Sequence, residues 1–302
     1  MQPTLSVSAI IDCYNSEQYI QEAIESVLAQ QRRPDEFIIV DDGSSDDTAK
    51  IARNLIQDIP WARLIEKENG GQLSCMTAGI VEAKGDLLAF LDGDDIWKTN
   101  HLVEAEKQFQ AEPKLSLFYG PYDEIGDCSD FKCRAYCHGL IGQTLVLTAA
   151  GQSYVGGVNA TLVAKSSALK PYLPLPPQIE KDWVVNADNI IVWITSLTGG
   201  LKYAASEATV NYRMHPNNNY KKLSSHQPRA FRKSATARLF EYFERTFYLP
   251  SDLVRHLPQE YRAQPNKTKN LRKEYLRALK KSRGRVCSLM AFNCYVRLLF
   301  GF

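Results

Sequence analysis

Short apolar runs alternate with amphipathic stretches through the first hundred residues. Val7 to Cys13 (VSAIIDC), Glu36 to Val40 (EFIIV), Ala62 to Ile65 and the run beginning LLAFL at Leu87 are short, with little polar alternation. That is the pattern of strands buried on both faces of a parallel sheet. Between the first two runs, Tyr19, Ile20, Ala23, Ile24, Val27 and Leu28 share one face at helical spacing. Further helices are expected up to about Gln57 and from about Gln72 to Ala83, with Asn69-Gly70-Gly71 as a turn between. Asn15-Ser16 and Ser45 read as caps of the first two helices, with Asp46 and Asp47 in the first turn against the helix dipole. Strand–helix alternation with short connections predicts a parallel sheet with right-handed crossovers, an α/β fold.

Two of these strands end in acids. EFIIV runs into Asp41-Asp42-Gly43-Ser44-Ser45, and LLAFL runs into Asp92-Gly93-Asp94-Asp95. Unpaired charges are costly inside a sheet, so these carboxylates should emerge at the C-terminal strand ends, where open α/β sheets bind ligands. Asp92 and Asp94, hard oxygen donors around a small residue, suit Mg²⁺ or Mn²⁺ carrying substrate phosphates. The alternative for the stretch at 92–95 is an acidic, solvated loop that begins a helix. One nucleotide site at a shared sheet edge explains both acidic strand ends.

The second half is less regular. A helix is expected from about Thr99 to Ala111, then a strand, LSLFYG, then an irregular stretch from Pro121 to Gly142. That stretch holds Cys128, Cys133, Cys137 and His138, but C-x4-C-x3-C-H lacks the paired C-x2-C knuckles of a zinc site and reads as a loop with incidental thiols. Gly156 to Thr161 leads into an apolar run and a Pro-rich loop. Trp183 to Thr198 is apolar at helical spacing and carries Asp182 and Asp188. A carboxylate at Asp188, between Val184, Val185 and Ile190, Ile191, is either satisfied by a partner or aimed into a cleft. Tyr203 to Val210 reads as a return strand and 211–219 as a polar loop.

Charge divides the chain. Of its 302 residues, those from Lys221 onward hold 19 Lys/Arg against 5 Asp/Glu, although the overall balance is only +2. An acidic body with a basic tail suits an anionic partner surface, and a solvated helical cap on the body is the alternative. The tail includes a basic helix from Phe231 to Phe247 with Leu239, Phe240 and Phe243 on its apolar face. No nucleic-acid readout motif accompanies the basic run. The N-terminus has no basic segment ahead of an apolar one, no stretch of 18 apolar residues occurs, and seven scattered cysteines suit reduced thiols. The expectation is a cytoplasmic protein, peripheral at the inner face of the membrane if the tail engages lipid.

The order of motifs resembles the family 2 glycosyltransferases, inverting enzymes of GT-A fold that use nucleotide-activated sugars. The resemblance covers about residues 5 to 220 and rests on VSAIIDCYNSEQYIQEAIESVLAQ, IIVDDGSSDDT, ENGGQLSCMTAGIVEAKGDLLAFLDGDDIW, NADNIIVWITSLTGG and NYRMHPNNNY. It implies a GT-A domain over 1–220, with a nucleotide-binding half to 98 and an acceptor half after it, followed by a helical tail over 221–302. Tyr14 would stack on a uracil and Asp42 bond its ring, with Asp41 beside them. Asp92 would reach ribose and metal, and Asp94 would ligate the metal bridging the diphosphate. His215 would approach the metal or diphosphate, and Asp188 would be the catalytic base, with Asp182 as its rival. The chain departs from the family in Asp12, where Pro or Thr is more usual, and in Ala187, where Glu commonly precedes the base. Absence of Q-x-x-R-W, the signature of processive members, implies transfer of a single sugar from a nucleotide-sugar donor, UDP-linked, to a glycan or lipid-linked acceptor. The alternatives are a non-catalytic nucleotide-sugar-binding protein on the same scaffold and, within enzymes, a nucleotidyltransferase; CYNSEQY is not the Gly-rich loop the latter needs.

Overall fold

The computed structural model describes residues 4–126, 138–216 and 228–282, together with Cys294, Arg297 and Leu298. The four apolar runs form β1 (Val7–Cys13), β2 (Glu36–Asp41), β3 (Ala62–Glu66) and β4 (Leu87–Asp92), all parallel, in the spatial order β3-β2-β1-β4. All seven residues of β1 are buried, because helices cover both faces. Alternation along the strands sorts the side chains into two cores. Ala9, Ile11, Phe37 and Ile39 pack with α1 (Ile20–Leu28), α2 (Thr48–Ile56) and α4 (His101–Ala111). Ile10, Ile38, Leu88 and Phe90 face α3 (Gln72–Glu82) and the later helices.

The sheet continues from β4 through β9 (Val163–Lys165), β6 (Leu115–Tyr119), β10 (Leu201–Ala204) and β8 (Gly139–Ile141). Here it is mixed: β9 runs antiparallel to both β4 and β6, and β8 antiparallel to β10. A second sheet has the order β5-β11-β7, from Ile96–Trp97 (β5), Val210–Met214 (β11) and Asp123–Gly126 (β7). The remaining α-helical segments in the described body are α5 (Leu145–Gly151), single turns α6 (Ser166–Leu169) and α7 (Pro177–Glu180), and α8 (Asp188–Leu197).

Several local expectations are corrected. Residues 211–214, read as loop, form β11, and the stretch from Pro121 to Gly142 contains β7 and β8. The helix read from Trp183 begins only at Asp188. Neither expected cap operates. Asn15 instead accepts Ser45 N–H at 2.8 Å, joining two loops, and Asp46 accepts the Thr48 N–H at 3.0 Å at the start of α2. Cys128, Cys133 and Cys137 lie outside the described residues; His138 Nδ1 lies 3.3 Å from the Ala205 carbonyl.

The C-terminal helices pack on the body. In α9 (Arg229–Thr246) Leu239, Phe240 and Phe243 are fully buried, and Phe240 meets Trp193 of α8 edge to face at 5.1 Å. Trp193 in turn contacts Trp183 at 5.5 Å, rings perpendicular. Each such burial is worth roughly 2 kcal/mol, which explains why this apolar face is covered. Glu260 in α10 (Leu257–Arg262) accepts the Val146 and Leu147 N–H groups at the start of α5, and Tyr275 of α11 (Lys269–Lys281) donates to it. Lys202 on β10 is fully buried, donating to Val155 O, Val192 O and Ser196 Oγ. Burial pushes the Lys202 ammonium down to about 7 and the Glu260 carboxyl up to about 7. The partners decide the charge states: three acceptors around Lys202 and three donors around Glu260 favour both ionised forms. Among the described residues, no helix is long and apolar enough to cross a membrane.

Candidate functional site

Register alone brings three carboxylates together. Asp12 on β1 pairs with Asp92 on β4, and its neighbour Cys13 pairs with Asp41 on β2. Beyond the strand ends the chain is held tightly. The Asp42 N–H donates to Cys13 O and the Gly93 N–H to Asp12 O, each at 2.9 Å. A side chain at Gly93 would put its Cβ 2.7 Å from Cys13 Cβ, so the residue between Asp92 and Asp94 must be small.

Asp41 and Asp42 are both nearly inaccessible. Asp41 accepts from the Ser44 N–H at 3.0 Å and from its hydroxyl, shaping the loop after β2. Asp42 accepts from Lys67 Nζ at 2.7 Å, Gly70 N–H at 3.0 Å and Gly71 N–H at 2.8 Å. Those three bonds leave one acceptor position of the four on a carboxylate. Tyr14, directly after β1, is 41% exposed, a large aromatic surface beside this loop.

Asp92 lies deeper. Its Oδ1 accepts from Gln72 Nε2 at 3.0 Å and Asn159 Nδ2 at 3.1 Å, while the same Asn159 amide donates to Asp12 Oδ1 at 3.0 Å. With carboxylates on both sides of Asn159, its NH₂ must face them. Burial pushes both acids up, Asp12 to about 7 and Asp92 strongly, and the neighbouring Asp94 charge adds to each. Asp94 is more open and accepts from His215 Nε2 at 2.9 Å. The His215 ring packs against Tyr19, centroids 4.7 Å apart and planes tilted by 40°. From β11, Arg213 donates its N–H to Asp95 Oδ1 at 2.8 Å and Nε to Asp94 O at 2.9 Å, so the small sheet braces the acidic loop.

Asp188 opens α8. Its Oδ2 is 3.0 Å from Tyr154 Oη, and Tyr154 also donates to Gly157 O. A phenol has one proton and a carbonyl none, so a proton on Asp188 satisfies both contacts while the ionised acid leaves one wanting. Burial raises Asp188 to about 6. Asp182 stands differently, in an ion pair with Arg238 of α9 at 2.7 Å.

Among the described residues, no three His, Cys, Asp or Glu side chains already form a metal cluster. The donor chemistry nonetheless fits a hard divalent cation: burial and the neighbouring Asp94 charge raise the proton affinity of Asp12 and Asp92, and a cation would relieve that crowding.

The sequence profile of Glycosyl transferase family 2 matches residues 8–154. An uncharacterized glycosyltransferase of Nostoc sp. is 30% identical over 226 residues, covering 73% of this chain and 68% of that protein. The chain belongs to the family 2 glycosyltransferases. Glycosyltransferase GlyG of Streptococcus pneumoniae is 33% identical over 122 residues, covering 39% of the chain and 40% of GlyG. The crystal structure of S. aureus TarS 1-349 in complex with UDP-GlcNAc superposes with a TM-score of 0.60 at 16% identity, covering 97% of this chain and 81% of that one. That likeness shows a shared GT-A fold with a helical C-terminal part.

In this family 2 glycosyltransferase, four residues at the site carried no role in the sequence reading: Gln72, Tyr154, Asn159 and Arg213. Neutral amides and a phenol leave no charge pattern, and Arg213 sits in a stretch read as loop. Only the Gly-Gly turn before Gln72 and the Gly-Gly before Asn159 marked places where backbones come close.

Proposed function

We propose that the chain transfers a single sugar, with inversion, from a UDP-linked donor to a hydroxyl of a glycan or lipid-linked acceptor. The observation that carries this reading is Asp188. It is a buried carboxyl of raised proton affinity, tied to Tyr154, in a segment bonded through Gln72 to Asp92. In the proposed reaction the acceptor oxygen attacks the anomeric carbon. Its proton passes to Asp188, and the bond to the diphosphate oxygen breaks, leaving UDP. Tyr14 provides a face for the uracil, and the remaining acceptor position on Asp42 suits the ring N–H. Asp41 keeps the loop in shape, and Asp92 is placed for ribose. Asp94 and Asp92, with His215, would hold Mg²⁺ or Mn²⁺, which when bound supplies positive charge for the leaving diphosphate. Asp182 is paired with Arg238, which favours Asp188 over it as the base. The nucleotide-binding half to 98, the acceptor half to 220 and the helical tail divide this work.

The structural neighbour S. aureus TarS 1-349, in complex with UDP-GlcNAc, supports the UDP reading. The decisive test is calorimetric titration with UDP, UDP-glucose, UDP-galactose, UDP-N-acetylglucosamine and GDP-mannose, with and without Mn²⁺, beside Asp94→Ala. Metal-dependent binding to a UDP ligand that Asp94→Ala loses is expected. No binding by the folded protein would overturn the reading, and binding without turnover would favour a non-catalytic nucleotide-sugar-binding scaffold.

The tail adds a surface to this proposal. Lys269, Lys273, Arg277 and Lys280 are exposed at spacings that put them along one side of α11. Each contributes about 1 kcal/mol near an anionic leaflet. Vesicles containing phosphatidylserine should bind the protein and release it when these four become Glu; equal binding by both would exclude the membrane role.

A further inference from the structure

The donor-side carboxylates and the segment bearing Asp188 are joined by one side chain. Gln72, the first residue of α3, donates Nε2 to Asp92 and accepts the Ala187 N–H on Oε1 at 3.3 Å. Its backbone N–H donates to Val184 O at 2.9 Å. The preceding Gly71 has φ +85°, and a Cβ there would lie 2.8 Å from Val184 Cα, so the turn and the 184–187 segment are in backbone contact. The same turn is gripped from the nucleotide side, where Asp42 accepts both Gly70 and Gly71 N–H. A second route closes the circle: Asp188 meets Tyr154, Tyr154 donates to Gly157, and Asn159, two residues on, donates to Asp92.

We propose that Gln72 is a positioning residue that couples occupancy of the donor side to the placement of Asp188. This rests on the glycosyltransferase reading above and adds the connection within it. The amide has the right chemistry for the task. Its NH₂ can only serve a carboxylate and its oxygen only an N–H, so the two ends are not interchangeable and the side chain has one orientation. When Asp92 turns to a ligand, the Gln72 amide follows or loses a bond, and the Ala187 N–H shares that choice. A methionine of similar length would fill the space and carry neither bond.

The test is amide hydrogen exchange by mass spectrometry on the full chain, with UDP and Mn²⁺ as the probe, beside Gln72→Met and Gln72→Glu. Glutamate keeps an oxygen for Ala187 N–H but withdraws the donor from Asp92. In the native protein, UDP should slow exchange in peptides covering 40–48 and 184–190. In both variants the first response should persist and the second should fall by about fivefold or more, the scale of an ordinary coupling between sites. With UDP-N-acetylglucosamine, kcat for sugar release should drop while KM stays within a factor of about three. Circular dichroism checks folding, and Gln72→Glu carries the test if Gln72→Met unfolds. Undiminished protection of 184–190 in a folded variant overturns the proposal while leaving the glycosyltransferase reading intact. Failure of UDP to bind the native protein overturns both, and calorimetry separates that outcome from the first.

Discussion

The two halves of the candidate site are built by different means. On the donor side, Asp12, Asp41, Asp42 and Asp92 sit at or just beyond the ends of adjacent parallel strands, and strand register fixes their spacing. Each is also a joint of the fold: Asp42 alone satisfies three donors from the 67–71 segment. On the acceptor side, Asp188 begins a helix; its side chain meets one phenol, and the preceding Ala187 N–H donates to the amide of Gln72, more than a hundred positions away. The proposed donor-side acids therefore would combine binding with stability. The proposed base is a looser attachment, and burying it costs the fold something.

The sharpest way to break this contrast is Asp188→Asn. Loss of a general base should lower kcat by about 10²–10⁴-fold, with UDP affinity unchanged by calorimetry. A comparable loss of affinity would mean that the two halves are not separable. Asp42→Ala should do the reverse and cost about 2–4 kcal/mol in urea unfolding, because two N–H groups and an ammonium lose their partner, and UDP binding should fall with it. Glu260→Ala provides a control at a residue that bonds none of the proposed donor-site groups. It strips Val146 N–H, Leu147 N–H and the Tyr275 hydroxyl of an acceptor, so about 2–3 kcal/mol should vanish from stability while UDP affinity stays fixed.

A subtler expectation concerns pH. Because burial raises Asp188 to about 6, the folded protein holds that proton more tightly than the unfolded chain. Its contribution to stability is complete below about pH 4 and is lost as pH rises through about 6. Asp188→Asn, which needs no proton, should thus be more stable than the native protein at pH 8 by about 3 kcal/mol and no more stable at pH 4, seen in urea midpoints. Activity has the opposite sign. The base works ionised, so kcat/KM should rise with pH through about 6 and then level off. A flat profile from pH 5 to 8 would remove Asp188 from the base role.

The convergence of the acids after β2 and β4 was legible because they follow buried runs directly in sequence, and a parallel sheet carries any such run to the same edge. The setting of Asp188 among buried residues was legible for a related reason, a charge within an apolar stretch. Other features left no such trace. The strand Val210–Met214 is only partly buried over most of its length and pairs in a small polar sheet, so no alternation marks it. The caps failed as readings because Asn15 bonds a loop 30 residues away, where local pattern has no reach. Gln72 and Asn159 matter through what they lie between, and the residues between which they lie come from distant parts of the chain.

The packing of α9 on α8 has an optical consequence. Trp183 and Trp193 are both buried, their indole N–H groups have no hydrogen-bond partner among the described residues, and they flank Asp188 in sequence; Trp183 packs on Trp193, and Trp193 on Phe240 of α9. Indoles in so apolar a setting emit toward the blue. With Trp61 and Trp97 replaced by Phe, the emission of this pair becomes an intrinsic gauge of the C-terminal helix against the base-bearing segment, readable on a stopped-flow timescale and without any attached dye.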